Sequence, residues 1–159
     1  EIPLRLVGSE MCIRDSVYGT VPAPQKKRSM PYRRITPRDM WVDDPASPLY
    51  NQHFVLKHDP VTPWEFKQQM KLNDYAHSLK LFIRHNAADG RRKPVPGAGS
   101  SIFFHIWRRD GGAPTAGCTA MSEENLRAMI AWLDPSRHPL YILLPAREYL
   151  RLRRAWGLP

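Results

Sequence analysis

Six prolines between residues 17 and 48 (Pro22, Pro24, Pro31, Pro37, Pro45 and Pro48) bar a long helix from the first third of this chain. Proline lacks an amide donor and its ring clashes with the preceding helical turn, so this stretch reads as extended segments wrapped on a core. Beyond it, residues 79–83 alternate well enough for a strand, and residues 54–56 read as a shorter one. Residues 84–99 form a long irregular loop studded with Gly and Pro, followed by a buried strand over 102–107. Residues 141–144 read as a closing strand before Pro145. Helices are expected in few places. Pro63 suits the first position of a helical turn over 63–70. Ser122 is a good N-cap, Glu123 and Glu124 favour the positive end of a helix dipole, and Leu126, Met129, Ile130 and Leu133 share one helical face. Asp134-Pro135 ends that helix, and residues 146–156 read as an amphipathic basic helix appended to the rest.

One stretch looks built for chemistry. Ser100-Ser101-Ile102-Phe103-Phe104-His105 runs through a loop at Arg108-Arg109-Asp110-Gly111-Gly112 into Pro114-Thr115-Ala116-Gly117-Cys118. His105 and Cys118 lie thirteen positions apart. A strand, a reversal and a return would set imidazole and thiol side by side, a base next to a nucleophile able to attack an acyl carbon. Gly117 permits a tight backbone whose N–H groups can point at a developing oxyanion. A lone Cys is commonly an inert buried thiol, and a strand-end His an ordinary polar residue. The two together, with Gly before the Cys, are what favour the chemical reading.

Several ordered motifs add to it. Trp41-Val42-Asp43-Asp44-Pro45, Tyr50-Asn51, Ile83-Arg84-His85-Asn86, Pro94-Val95-Pro96-Gly97, Gly99-Ser100, Ile102-Phe103-Phe104-His105 and Pro114-Thr115-Ala116-Gly117-Cys118 follow one another in the order of a known domain. Over residues 31–145 the chain resembles the L,D-transpeptidase (YkuD) catalytic domain. That resemblance implies a mainly β (α+β) sandwich with one or two helices, a cysteine enzyme acting on peptidoglycan stem peptides, no cofactor, no metal, and a place in the periplasm or cell envelope. It implies Cys118 as nucleophile and His105 as base, with Gly117 and Thr115 shaping the oxyanion loop and His85 and Asn86 orienting the substrate or the catalytic pair. Carbapenem-type β-lactams are the implied inhibitors and a monomer the implied state. Ala116 stands where the commoner form of the family carries His, and Ala120 where it carries Arg two residues after the Cys. These departures predict altered substrate contacts and leave nucleophile and base in place. The family's domain opens with several strands and a Gly-x-x-Pro-x-Gly segment that have no counterpart before residue 31, so a domain incomplete at its amino terminus is expected.

Charge and cysteine usage bound the alternatives. The 159 residues carry a net charge of +9, which implies anionic partners, and the free carboxylates of stem peptides serve as well as nucleic acid. The basic residues form scattered doublets, as on a solvated surface, which argues against nucleic acid. Residues 4–16 closely resemble translated sequencing-adapter DNA. Residues 1–16, including Cys12, are therefore set apart as an adapter-derived artefact, leaving 17–145 as a partial catalytic domain and 146–159 as a basic tail. No His-Glu-x-x-His and no paired cysteines at zinc spacing accompany the histidines at 53, 58, 77, 85 and 105. Asp43-Asp44 is better read as a turn or cap than as an acid–base pair. No apolar run approaches a membrane span. The rival readings are an L,D-carboxypeptidase or other Cys–His amidase, and a non-catalytic cell-wall or nucleic-acid binding module using the basic surface. Papain-like enzymes place Cys before His; here His comes first.

Overall fold

A computed structural model of the protein describes residues 17–22, 30–88 and 91–159. The segment set apart in the sequence, residues 1–16 with Cys12, lies outside the described residues. The regular elements are β1 (Val17–Gly19), β2 (Tyr32–Arg34), β3 (Asp39–Trp41), β4 (His53–Val55), α1 (Pro63–Gln68), β5 (Leu79–Phe82), β6 (Phe103–Ile106), β7 (Thr119–Met121), α2 (Glu123–Trp132) and α3 (Ala146–Leu152). The main sheet has the order β2-β1-β5-β6-β7. Its inner pairs β1–β5 and β5–β6 are antiparallel, and its outer pairs β1–β2 and β6–β7 are parallel. β3 and β4 form a separate antiparallel pair, bridged to the end of α1 through Met40 and Gln69. The chain is thus mostly β, with a mixed sheet and three α-helices among the described residues, as expected of an α+β sandwich of this kind.

Period-two alternation builds two cores on the two faces of the sheet. Leu79 and Leu81 of β5, with Phe104 and Ile106 of β6, pack under Leu126 and Ile130 of α2 and Leu133 at its C-cap. The intervening residues point the other way. There Phe82 and Phe103 meet Tyr18, Ile35, Trp41 and Met70, and the Trp41 ring lies 4.2 Å from Phe82 and 5.0 Å from Phe103. α2 forms where its capping signals place it: Ser122 accepts from the Asn125 N–H, and the helix ends at Leu133 before Asp134-Pro135. α1 carries a full capping box, with Thr62 and Glu65 satisfying each other's backbone donors.

Asp39 locks the second layer. Its side chain is fully buried and accepts from Arg33 Nε at 2.6 Å, His53 Nε2 at 2.9 Å, and the Thr36 amide and hydroxyl at 2.8 and 2.7 Å. Burial pushes this carboxyl up, but the bonds from Thr36, Arg33 and His53 outweigh it and hold the pKa at about 2. Burial keeps the His53 ring below its usual pKa, so its Nε2–H donates from the neutral form.

The closing strand expected over 141–144 does not form. β7 occupies that edge of β6 instead, and residues 141–144 approach by side chain alone. The Tyr141 ring packs edge-on against Phe104 at 4.6 Å, and its hydroxyl hydrogen-bonds Thr119 Oγ1 at 2.7 Å. Ile142 and Leu143 remain 40 % and 43 % exposed.

Two stability measurements check this architecture. Leu126→Ala should cost roughly 2–5 kcal/mol in denaturant unfolding, as a cavity in a closed core, whereas Ile142→Ala should cost under about 1 kcal/mol. Asp39→Asn should cost about 2–3 kcal/mol at neutral pH, because it removes the charge that four donors address. Because the folded pKa lies below the unfolded one, the stability from Asp39 is fully present above about pH 4 and is lost as pH falls through about 2. The acid limb of the unfolding profile should therefore flatten in the Asn variant.

Candidate active site

The face opposite α2 carries polar groups among its aromatics. Tyr18, Lys80 and His105 are successive cross-strand partners in one row, and Ala120 continues that row on β7. Phe82 and Phe103 form the next row, and Cys118 stands just before β7 beside Phe103. Because β7 runs parallel to β6, the link through residues 107–118 is a crossover of about a dozen residues rather than the expected reversal. Thr119 lies beside Phe104 and Ala120 beside His105. Cys118 and His105 end on the same face as diagonal neighbours, about 8 Å apart at Cα from ordinary strand rise and spacing.

The turn before the thiol is determined locally. Gly117 has φ +132°, and a Cβ there would come within 3.1 Å of Ile102 Cδ1. The Thr115 hydroxyl donates to the Cys118 carbonyl at 2.5 Å and accepts the Gly117 N–H at 3.4 Å. Thr115 thus braces the backbone that carries Cys118. Cys118 Sγ accepts from the Phe103 N–H at 3.4 Å, and the thiol donates to the Ser101 carbonyl at 3.5 Å. Burial pushes the Cys118 thiol up, with the Phe103 N–H and Lys80 acting against it.

His105 is 3 % exposed. Its Nδ1 lies 2.8 Å from the Ile106 carbonyl, which can only accept, so Nδ1 carries the proton and Nε2 the lone pair. Burial pushes this imidazole below its usual pKa, and the charges of Arg108 and Lys80 push the same way. Among the described residues no hydrogen bond joins His105 to Cys118. Thiol and imidazole are both neutral at rest.

Behind His105 stands a group that the sequence reading did not single out. The His77 ring stacks on the His105 ring at 4.6 Å. Asp74 holds His77 Nδ1 at 2.7 and 2.9 Å and receives Arg108 Nη2 at 2.6 Å. Burial pushes the Asp74 carboxyl up, but these partners prevail and hold it at about 2. A signal for it existed in the Asp74-x-x-His77 spacing, which lets an Asx side chain cap its own turn. The other signal was Lys80, a charge inside an apolar strand.

His85 and Asn86 spend their polar atoms on the loop that follows them. His85 Nε2 bonds the Ala98 carbonyl at 2.7 Å and packs against Gly99. Asn86, at φ 50°, donates to the carbonyls of Val95 and Gly99 at 2.9 and 2.8 Å and accepts the Val95 N–H at 2.8 Å. Asn51, 2 % exposed, ties the loop to the second layer. It accepts from Trp41 Nε1 at 2.9 Å and from the Ser101 N–H at 3.0 Å, and donates to the carbonyls of His85 and Asn86. The chain of contacts runs from Asn51 through Ser101 to the thiol. Asp43 and Asp44 are occupied as turn residues, bonding Ser100 and, for Asp44, the Ala46 N–H and Trp64 Nε1.

A comparison with protein families finds the L,D-transpeptidase (YkuD) catalytic domain over residues 13–142. The chain belongs to that family. The match takes in the last residues of the segment set apart in the sequence and stops short of the 146–159 tail. No curated protein and no solved structure matches the chain. Membership brings transpeptidase-family activity and peptidoglycan as the substrate class. Among the described residues no helix is long and apolar enough to cross a membrane.

Asn51→Ala should leave two buried donors and two buried carbonyls without their partner. We expect a loss of roughly 2–4 kcal/mol in stability and a slower reaction of Cys118 with a thiol probe in the folded protein. A stable variant with unchanged thiol reactivity would show that Asn51 does not place Ser101.

Proposed function

We propose that this L,D-transpeptidase-family chain uses Cys118 as its nucleophile and His105 as its general base. The donor is a peptidoglycan tetrapeptide stem. What supports this reading is a half-buried thiol on one sheet face with a neutral imidazole whose Nε2 holds the lone pair. The thiol turns from the Ser101 carbonyl towards His105, which takes its proton. The thiolate then attacks the carbonyl of the third stem residue, a meso-diaminopimelate or similar diamino acid. The terminal D-alanine leaves as its amine takes the proton back from His105, and a thioester to Cys118 remains. Backbone N–H groups around Gly117 and Cys118 stabilise the oxyanion, each such donor being worth on the order of 3 kcal/mol. An amine from a neighbouring stem resolves the thioester into a cross-link; water in its place gives a carboxypeptidase. In this scheme Thr115 holds the nucleophile turn, and His85 and Asn86 shape the loop along which the stem peptide lies. The net charge of +9 suits a substrate rich in free carboxylates and work at the cell envelope.

Incubation with a carbapenem-type β-lactam or a tetrapeptide donor should give a covalent adduct by intact mass, mapped to Cys118. Cys118→Ala should abolish it. His105→Ala should slow it by roughly 10²–10⁴-fold at neutral pH, with partial recovery as pH rises. Because burial raises the thiol pKa, acylation by the unmodified protein should also increase with pH above neutrality. An undiminished adduct in Cys118→Ala, or a folded protein that is never acylated, would refute the assignment.

A further inference from the structure

Lys80 is a charged residue at the second position of a strand whose four residues are all buried, and it is itself 4 % exposed. Such a charge is costly unless something compensates it. The alternation that turns Leu79 and Leu81 towards α2 turns Lys80 to the face that carries His105 and Cys118. Its ammonium donates to the Met70 carbonyl at 2.6 Å and stands 5.4 Å from the centroid of the Phe103 ring. Phe103 is the residue whose N–H meets Cys118 Sγ. An ammonium has three donors, and among the described residues the Met70 carbonyl is the one acceptor it finds. The other titratable or charged groups facing this region are Tyr18 on β1, His105 on β6, Cys118 before β7, Asp74 and His77 ahead of β5, and Arg108 after β6. Asp74 already serves His77 and Arg108. Ala120, on the other flank of His105, brings no charge.

We propose that Lys80 is the counter-cation of the Cys118 thiolate, stabilising the sulfur anion once its proton has left and thereby setting how much attacking thiolate exists near neutral pH. This rests on the reading of Cys118 as the nucleophile. Lys80 is a charge-stabilising residue and exchanges no proton with the substrate. Burial lowers the Lys80 pKa to about 8, with Cys118 and then Asp74 acting to raise it, so the ammonium is present at neutral pH. The thiol feels the same pair from its side, since Lys80 opposes the rise that burial imposes on it.

The test is the pH dependence of Cys118 alkylation by iodoacetamide in the full chain, read by peptide mapping so that Cys12 is counted separately. Lys80→Met should slow Cys118 alkylation roughly tenfold at pH 7, where the ammonium is present, and the difference should shrink as pH rises through about 8 and Lys80 is discharged. It should do so without lowering the melting temperature, because it removes a buried charge. A folded Lys80→Met protein alkylated at an unchanged rate at pH 7 would overturn the proposal. If Met at this position prevents folding, Lys80→Gln removes the charge while offering an amide donor to the Met70 carbonyl, and the same two outcomes decide. The unsubstituted protein supplies a further readout. Anionic iodoacetate should lose ground relative to neutral iodoacetamide as pH rises through about 8 and the ammonium is discharged. A ratio that stays flat there would count against Lys80. A slowed alkylation at pH 7 in a protein never acylated by a carbapenem would instead refute the nucleophile assignment alone. Acylation together with an unchanged alkylation rate at pH 7 would refute the Lys80 proposal alone.

Discussion

The parallel pairing of β6 with β7 is the constraint on which the site depends. It fixes the register in which Phe104 meets Thr119 and His105 meets Ala120, and so brings the residue before β7 onto the face of Phe103 and His105. The parallel arrangement needs a crossover, and the segment from Trp107 to Cys118 supplies it. Its path is secured by the Trp107 N–H on the Met121 carbonyl at 2.8 Å and by the Thr115 turn. Alternation along β5 and β6 does the rest, since the apolar residues drawn under α2 leave Lys80 and His105 no other face.

Burial sets the protonation states on that face. Removing a thiol and an imidazole from water penalises both charged forms, so the resting pair is neutral. The Ile106 carbonyl fixes which nitrogen of His105 holds the lone pair. The stack of His77 on His105, anchored by Asp74 and Arg108, restrains the ring from the other side. The imidazole is therefore aimed by backbone and by packing, and no carboxylate bonds it directly among the described residues.

Much of this was legible in the sequence wherever local chemistry decides the outcome. The α2 helix followed from Ser122 and the Leu126/Ile130/Leu133 spacing, α1 from Pro63, and the 79–83 and 102–107 strands from their apolar character; the structure trims each strand by a residue or more at its ends. The His105 and Cys118 segment stood out for its Gly117 and its broken loop. Pairing partners were not legible, because parallel and antiparallel neighbours leave the same apolar signature on a short strand. Thr119–Met121, three half-buried residues of mixed polarity, carries too little pattern to be read as a strand, while 141–144 carries the pattern and finds its edge already taken. The support behind the site was hidden for a related reason: Asn51, Asp74 and Lys80 act through contacts with residues distant in the chain or across the sheet. Their sequence signals, a lone Asn or a lone Lys, are common on any surface.

The Ser101 carbonyl that receives the thiol has a consequence of another kind. Oxidation of cysteine to sulfenic acid and beyond proceeds from the exposed thiolate. Here the sulfur is half-buried, protonated and occupied at rest by one carbonyl and one amide. Among the described residues Cys118 has no second thiol beside it to reverse such damage, so its preservation depends on the sulfur being unreactive until something draws it out. The hydrogen bond that parks the thiol is in that sense a chemical safeguard, keeping the sulfur in its reduced state at rest.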